Sequence, residues 1–476
     1  MEGSLAMSRF LIPLLALFLC CSCGLVPPEP RLRTPEDFQR AFPSEPAVLP
    51  PGRPLSLEDV GKIALANNPD LRTAQYSVRA ARYRWYASLS GYLPRLTAEF
   101  GAGQSFDSTY DRRTPPADVL RREDVFGTAA GLSVSYLIFD GFEREFEALA
   151  AKQDVLAEQE MRRNVRRLLL RAAAYAFYEC ISSAEMIRIY EADRAFQDSA
   201  LEQAEVRYAF GSVPLDNVLN FRILRTSAES KLLDARYRRE TAGFALCAIM
   251  GMGEDFRIPE CREGPEEEEE TDPFPPDESS CIAEAVSQRP DLEAERRRLE
   301  AARLRNLAAY SGFFPSLSAY ADFGFSTHAA RTAGLDHSRY YYNEDSFDYG
   351  IRSRWELFSG FSTVQLVRER SAARQILFFQ IRETYLQLVR EVRSALADFR
   401  NAAAQVKLHR EMALWSRRQR DLVADEYEAG KETVTRLNQA QSEFVSSEAR
   451  YVVARAKLGR ARARLRAALG RDCRKW

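Results

Sequence analysis

The 476-residue chain predicts an α+β membrane protein built from two tandem copies of one unit, each giving two strands and a set of very long coiled helices. Three observations carry that prediction. A duplication preserves its spacing, each copy holds two runs that alternate with period two, and heptads continue over many turns.

The duplication sets the domain plan. Asn68-Pro69-Asp70-Leu71 recurs as Arg289-Pro290-Asp291-Leu292. In both copies a proline follows 25 residues later, inside Gly91-Tyr92-Leu93-Pro94 and Gly312-Phe313-Phe314-Pro315. Ile138-Phe139-Asp140-Gly141-Phe142 recurs as Leu357-Phe358-Ser359-Gly360-Phe361. Gly141 to Gly211 and Gly360 to Gly430 are both 70 residues; Gly211 to Gly251 and Gly430 to Gly470 are both 40. The unequal interval, Pro94 to Gly141 against Pro315 to Gly360, falls where a loop is expected and length changes are tolerated. The copies occupy 55–258 and 282–470, with a tail at 471–476. Between them, 259–281 is an acidic, proline-rich linker holding Glu266 to Glu270, too polar to fold alone.

Each copy runs helix, strand, loop, strand, very long helix, shorter helix. The first helix is expected from Ser56 to Ser88, interrupted at Asn68-Pro69, and its twin from Ile282 to Tyr310, interrupted at Arg289-Pro290. An aspartate after proline suits a helix start.

In the strand pairs Leu96, Ala98, Phe100 and Ala102 alternate with polar residues, as do Leu132, Val134, Tyr136 and Ile138. The second copy sets Leu317, Ala319, Ala321, Phe323 and Phe325 on one face against Ser318, Tyr320, Asp322 and Gly324. Its partner strand sets Phe347, Tyr349, Ile351, Trp355 and Leu357 against Asp348, Arg352, Arg354 and Glu356. Runs of roughly 10 residues are long enough to cross a bilayer as tilted strands. The apolar face would meet lipid and the polar face a watery lumen. The joining segments, Asp107 to Phe126 and Thr327 to Ser346, are then expected as loops outside the cell. Four strands cannot close a barrel, because about eight are needed and open edges are not tolerated in lipid. An obligate oligomer sharing one barrel follows.

The heptads fill the helices. Phe378, Ile381, Tyr385, Leu388, Val392, Ala395, Phe399, Ala402 and Val406 step by three and four, as do Leu437, Ala440, Phe444, Ser447, Tyr451, Ala454, Leu458, Ala461, Leu465 and Ala468. The first copy shows Leu169, Ala173, Ala176, Cys180, Ser183, Ile187 and Tyr190. Such seams, rich in small residues, let helices approach closely.

Composition excludes other classes. With 67 Lys and Arg against 68 Asp and Glu, no positive excess exists to neutralise nucleic acid. Mean hydropathy of −0.36 excludes a bundle of spanning helices. The three histidines, His328, His337 and His409, have no nucleophile or metal-ligand spacing near them, and no catalytic, metal or cofactor site is read. Cys261 and Cys281 bracket the linker as a candidate disulfide, whereas Cys180 and Cys247 read as small packing residues.

The first residues read as a secretion signal: Arg9, an apolar run from Phe10 to Leu19, then Cys20-Cys21-Ser22-Cys23-Gly24. This resembles a bacterial lipoprotein box, with cleavage after 1–22 and Cys23 lipidated. Cys20 and Cys21 are alternative acceptors. An extended, lipid-anchored segment, 23–54, would follow.

The duplicated Pro-Asp-Leu, the Leu-Pro before the strand, the Phe-Asp/Ser-Gly after the strand pair and the tip glycines together resemble the TolC-type outer-membrane factor family, over about 55–470. The resemblance implies a homotrimer with one 12-stranded β-barrel and a 12-helix periplasmic α-barrel, without cofactor. It implies an outer-membrane duct of a tripartite export system, working with a periplasmic adaptor and an inner-membrane pump or ABC exporter. The lipid anchor resembles the branch serving drug and metal efflux. A protein-secretion duct is the alternative within the family, and a lipid-anchored coiled-coil scaffold is the alternative outside it. The resemblance places the periplasmic tips at Tyr208 to Leu219 and Tyr427 to Leu437, turning at Gly211 and Gly430. Positions six and nine after Gly430, acidic in well-known members, hold Arg436 and Gln439 here. The first-copy position is Asn217, preceded by Asp216. Three Arg436 side chains at a pore mouth would repel cations and attract anions, and pairing with Asp216 would hold the mouth shut; the other reading turns Arg436 toward a neighbouring helix.

Overall fold

The computed structural model describes residues 54–111, 119–252, 260–262, 277–333 and 339–471, with 34, 37, 38 and 41. The signal segment, Cys20, Cys21, Cys23, the run Glu266 to Glu270, His337 and Cys473 lie outside the described residues.

Helix α1 (Leu57–Asn67) opens on a capping box, in which Ser56 Oγ accepts from Asp59 N–H and the Asp59 carboxylate accepts from Ser56 N–H. Asn68 then ends one helix and starts the next. Its Oδ1 accepts from Asp70 N–H at 2.9 Å, and Pro69 is the first residue of α2 (Pro69–Leu89). Strands β1 (Arg95–Asp111) and β2 (Val119–Phe139) follow, then α3 (Glu143–Ala209) and α4 (Leu215–Ile249). The second copy repeats the order with α5 (Glu278–Gln288), α6 (Pro290–Ala308), β3 (Ser316–Ala333), β4 (Arg339–Arg354), α7 (Ser362–Glu428) and α8 (Val434–Leu469). Both long helices, α3 and α7, hold 67 residues, which is about 100 Å at the usual rise.

The strands form one antiparallel sheet in the order β1-β2-β3-β4, so the two copies join through β2 and β3. The register lays whole rows across it. Leu96, Val134, Ala321 and Tyr349 share one row, and Ala98, Leu132, Phe323 and Phe347 the next on that face. Thr97, Ser133, Asp322 and Asp348 share a row on the opposite face. One face is thus apolar and the other polar, as alternation requires.

The strands are longer than the expected ten or so residues: 17, 21, 18 and 16. Most of the segments expected as loops, Asp107 to Phe126 and Thr327 to Ser346, continue the ladder; 112–118 and 334–338 lie outside the described residues. The reason is physical. Apolar alternation marks only the part of a strand that meets lipid, whereas ladder hydrogen bonds continue wherever the backbone stays extended. At the other end β4 stops at Arg354, so Trp355 and Leu357 lie beyond the strand, and the Trp355 indole donates to Phe313 O.

The helices form a layer in the order α4, α3, α8, α7, with α1 and α2 against α3, and α6 against α3 and α7. One core gathers Leu57, Val60, Phe177, Leu246 and Met250 around α3, and its twin gathers Leu292, Leu388, Val392, Leu465 and Leu469 around α7 and α8. The expected disulfide between Cys261 and Cys281 is not formed. Cys281 is buried in the second core, while Cys261 sits beside Cys180, its sulfur 3.7 Å away. Flanking the linker in sequence did not make the two cysteines neighbours, because Cys281 is pulled onto α5 as an apolar residue.

Candidate functional site

The two helix tips are built alike. Helix α3 ends at Ala209, and Gly211 follows with φ of 72°, letting Ser212 N–H reach back to Arg207 O at 2.9 Å. Helix α7 ends at Glu428; Gly430 has φ of 71°, and Lys431 N–H reaches Glu426 O at 2.8 Å. Both turns need the left-handed conformation that glycine adopts without strain.

The next helices start differently. Helix α4 begins after Pro214 with no side-chain cap and puts the exposed Asp216 in its first turn, where the helix dipole favours a negative charge. Helix α8 is capped by Thr433, whose Oγ1 accepts from Arg436 N–H. Arg436 is then a cation in a first turn, against the dipole. Its guanidinium donates to Gln439 Oε1 at 3.3 Å, so within the chain Arg436 meets Gln439. Asn217 lies half-buried between the exposed Asp216 and buried Val218.

The structure brings the two tips together. Val434 of α8 packs on the cluster of Ala204, Val218 and Phe221 from the first tip. Arg207 lies over the Tyr427 ring, 5.2 Å from its centre, and Phe196 of α3 packs on Val423, Leu437 and Ala440. Above them Gln441 donates to Asp193 at 2.8 Å, both buried, tying α8 to α3. Sequence reasoning missed this pair and the Arg207–Tyr427 contact. The only available signal was a polar residue, Gln441, beside the seam position Ala440.

A second set of residues, also missed, holds the copies to each other at the helix starts. Arg167 of α3 donates to Ala467 O and lies 3.6 Å from the Asp291 carboxylate. Arg289 binds Asp291 and, at 2.7 Å, Glu391 of α7. Burial, with the Arg289 charge beside it, pushes the Arg167 guanidinium down to about 10. For Asp291 burial pulls upward, but Arg289 and Arg167 outweigh it and hold the carboxyl below its ordinary range.

The outer edges of the layer are apolar and unfilled within the chain. On α4 the residues Val218, Phe221, Ala228, Leu232, Ala235 and Ala242 form the buried seam against α3. A second heptad, Leu219, Ile223, Leu233, Tyr237 and Phe244, is exposed, with Ile223 at 68% and Leu233 at 70%. Helix α7 carries Ala413, Ser416 and Val423 buried and Leu408, Met412, Trp415 and Leu422 exposed. Two seams on one helix are what a helix in a closed ring requires, one for each neighbour. The expected seam residues Phe378 and Tyr385 are likewise exposed in the chain. Among the described residues no helix is long and apolar enough to cross a membrane.

Comparison with known proteins agrees with this geometry. The family model described as outer membrane efflux protein matches residues 60–252 and 281–471. The pyoverdine export outer membrane protein OpmQ of Pseudomonas aeruginosa is 25% identical over 91% of this chain and 90% of its own length. The alkaline protease secretion protein AprF of the same organism is 22% identical over 75% of this chain and 72% of its own. Among solved structures, the Campylobacter jejuni CmeC outer membrane channel superposes with a TM-score of 0.72 at 16% identity, covering 94% of this chain and 90% of that one. A duplicated unit with one amphipathic four-stranded sheet, 100 Å helices and paired glycine tips therefore has its explanation: the chain belongs to the outer membrane efflux protein family, and is an outer-membrane export channel.

Proposed function

We propose that three copies of this chain close into one duct, a passive conduit for drug or metal efflux that a periplasmic adaptor couples to an inner-membrane pump. The observation that carries this reading is the second, exposed heptad on α4 and on α7. These are the two edge helices of the layer, and β1 and β4 are the two edges of the sheet. Different surfaces meet head to tail in such an assembly, and the rotation must close. Three copies of four strands give 12, enough to enclose a water-filled lumen lined by the row containing Thr97, Ser133, Asp322 and Asp348.

In this reading the gate is the ring of tips carrying Gly211, Asp216, Asn217, Gly430, Arg436 and Gln439. Arg436 works against its own helix dipole, at a cost of some tenths of a kcal/mol, with Gln439 as its neutral side-chain partner. Such local misfits mark places where another requirement prevails. Three guanidinium groups at the mouth favour anions, and an Asp216 from a neighbouring tip would hold them closed. Exposed pairs are worth about 1 kcal/mol or less each, few enough for an adaptor to break. The relative AprF, named for protease secretion, supports the second reading, a duct served by an ABC exporter. Cys23 is the proposed lipid anchor.

The test is native mass spectrometry with planar-bilayer recording on purified protein. Trimers are expected that conduct once the tip contacts are broken, as in Asp216→Ala; a monomer, or a trimer that stays non-conducting in that variant, overturns the duct. Arg436→Asp should raise cation preference several-fold, and unchanged selectivity removes Arg436 from the pore. Mass spectrometry of the mature N-terminus should find a diacylated Cys23, with an unmodified terminus elsewhere excluding the anchor.

A further inference from the structure

Three cysteines and an arginine meet where the second half of the chain leaves the first. Cys180 is on α3, Cys247 and Arg239 are on α4, and Cys261 is on the segment 260–262. That segment is held like a strand: Leu55 N–H donates to Glu260 O at 2.8 Å and Arg262 N–H to Leu55 O at 3.1 Å. The Cys261 sulfur is thereby presented 3.7 Å from Cys180 Sγ, across 81 residues of sequence. Arg239 Nη1 approaches Cys180 Sγ to 2.9 Å. Cys180 is fully buried, but Cys261 is partly open to a cavity of about 620 Å³ that Glu260, Arg262, Arg188 and Arg455 also line.

We propose that Cys180 and Cys261 are a built-in disulfide site, oxidised in the periplasm by the disulfide of a thiol oxidoreductase. The compartment favours the bond, since extracytoplasmic proteins keep their disulfides. The geometry does also, because the sulfurs need to approach by less than 2 Å to reach the ~2.05 Å of a bond. The hydrogen bond from Cys261, and then the Arg239 charge, hold the Cys180 thiol below its ordinary range, whereas Cys261 is held above it as the donor. Cys261 loses its proton to water, and its thiolate attacks the donor disulfide from the cavity side, forming a mixed disulfide and expelling one donor thiolate. Cys180, deprotonated in turn, attacks Cys261 Sγ and expels the second donor sulfur as a thiolate. Two protein thiols lose two electrons and two protons, and the donor disulfide takes both up as two thiols. Cys247 lies in the same cluster. The bond would fasten the departing chain to the long helix, so that α3, α4 and the paired Leu55 segment could not separate.

The experiment uses the full chain from outer membranes, with cells lysed directly into denaturant and N-ethylmaleimide. A non-reduced peptide map should show Cys180 linked to Cys261 in most molecules, and the link should vanish after reduction. Cys247→Ala should keep it. Protein in which Cys180 and Cys261 both carry the alkyl group overturns the proposal, as does a link from Cys261 to Cys247, Cys281 or Cys473. A second readout needs no map. Reductant should lower the melting temperature of the wild type and leave the Cys180→Ala/Cys261→Ala double variant unmoved; an equal shift in both also overturns it.

Discussion

At the residue scale, the described glycine with the least room for a side chain is Gly459 of α8. A Cβ there would stand 2.4 Å from the ring of Tyr178, which is buried on α3 and cannot move into solvent. The close approach of α3 and α8 depends on that missing methyl group. Gly459→Ala should therefore destabilise the protein, although alanine is the better helix former. We expect a loss of about 1–3 kcal/mol, seen as a lower melting temperature by circular dichroism. Gly103→Ala on β1, where nothing lies within 4 Å, is the control and should be neutral. A neutral Gly459→Ala would mean that the Tyr178 ring is not fixed against α8. Nothing in the sequence distinguishes these two glycines, since a packing role depends on which helix lies opposite.

At the element scale, much was legible. Asn68-Pro69 and Arg289-Pro290 marked the helix interruptions because proline fixes its own φ and lacks an N–H, and the structure breaks both helices there. The glycine spacings marked the tips, and heptads marked the buried seams Leu169 to Ser183 and Leu388 to Ala402. Strand length was not legible, since periodicity reports the surroundings of a strand and not its hydrogen bonds. The Arg167, Arg289, Asp291 and Glu391 network was not legible either. Arg167, the Arg289-Pro290-Asp291 run and Glu391 are far apart in sequence, and nothing marks the charges as partners until α3, α6, α7 and α8 are packed. The network has a pH signature. Asp291 titrates below the ordinary carboxylate range in the folded chain, so its contribution is fully present above that range and is lost as pH falls through the lowered value. Asp291→Asn should remove that part of the acid sensitivity, and should cost on the order of 3 kcal/mol at neutral pH by leaving Arg167 without its carboxylate. Urea unfolding at several pH values reads both effects. Parallel wild-type and variant curves would show that Asp291 is not the group responsible.

At the scale of the whole molecule, what the sheet and the helix layer share is incompleteness. Each has two open edges, one from each copy and on different elements of the repeat: β1 and α4 belong to the first copy, β4 and α7 to the second. A chain whose first copy ends one edge and whose second ends the other can be continued by another copy of itself, head to tail. The duplication then reads as a way to supply two different edges from one ancestral unit. The exposed seam of α4 tests this directly. Leu233 and Ile223 project from α4 on the side away from α3, so changing them disturbs no core of the single chain. Leu233→Glu places a charge where a neighbouring helix would exclude water, and one uncompensated buried charge per interface, repeated three times, is enough to prevent closure. The helical circular dichroism signal should stay near that of the wild type while native mass spectrometry shows monomer and conductance disappears. Leu232→Glu, one residue away but buried against α3, should instead unfold the helix pair and lose the circular dichroism signal as well. Conducting trimers formed by Leu233→Glu would mean that this seam faces the periplasm and that the ring closes through other residues of α4.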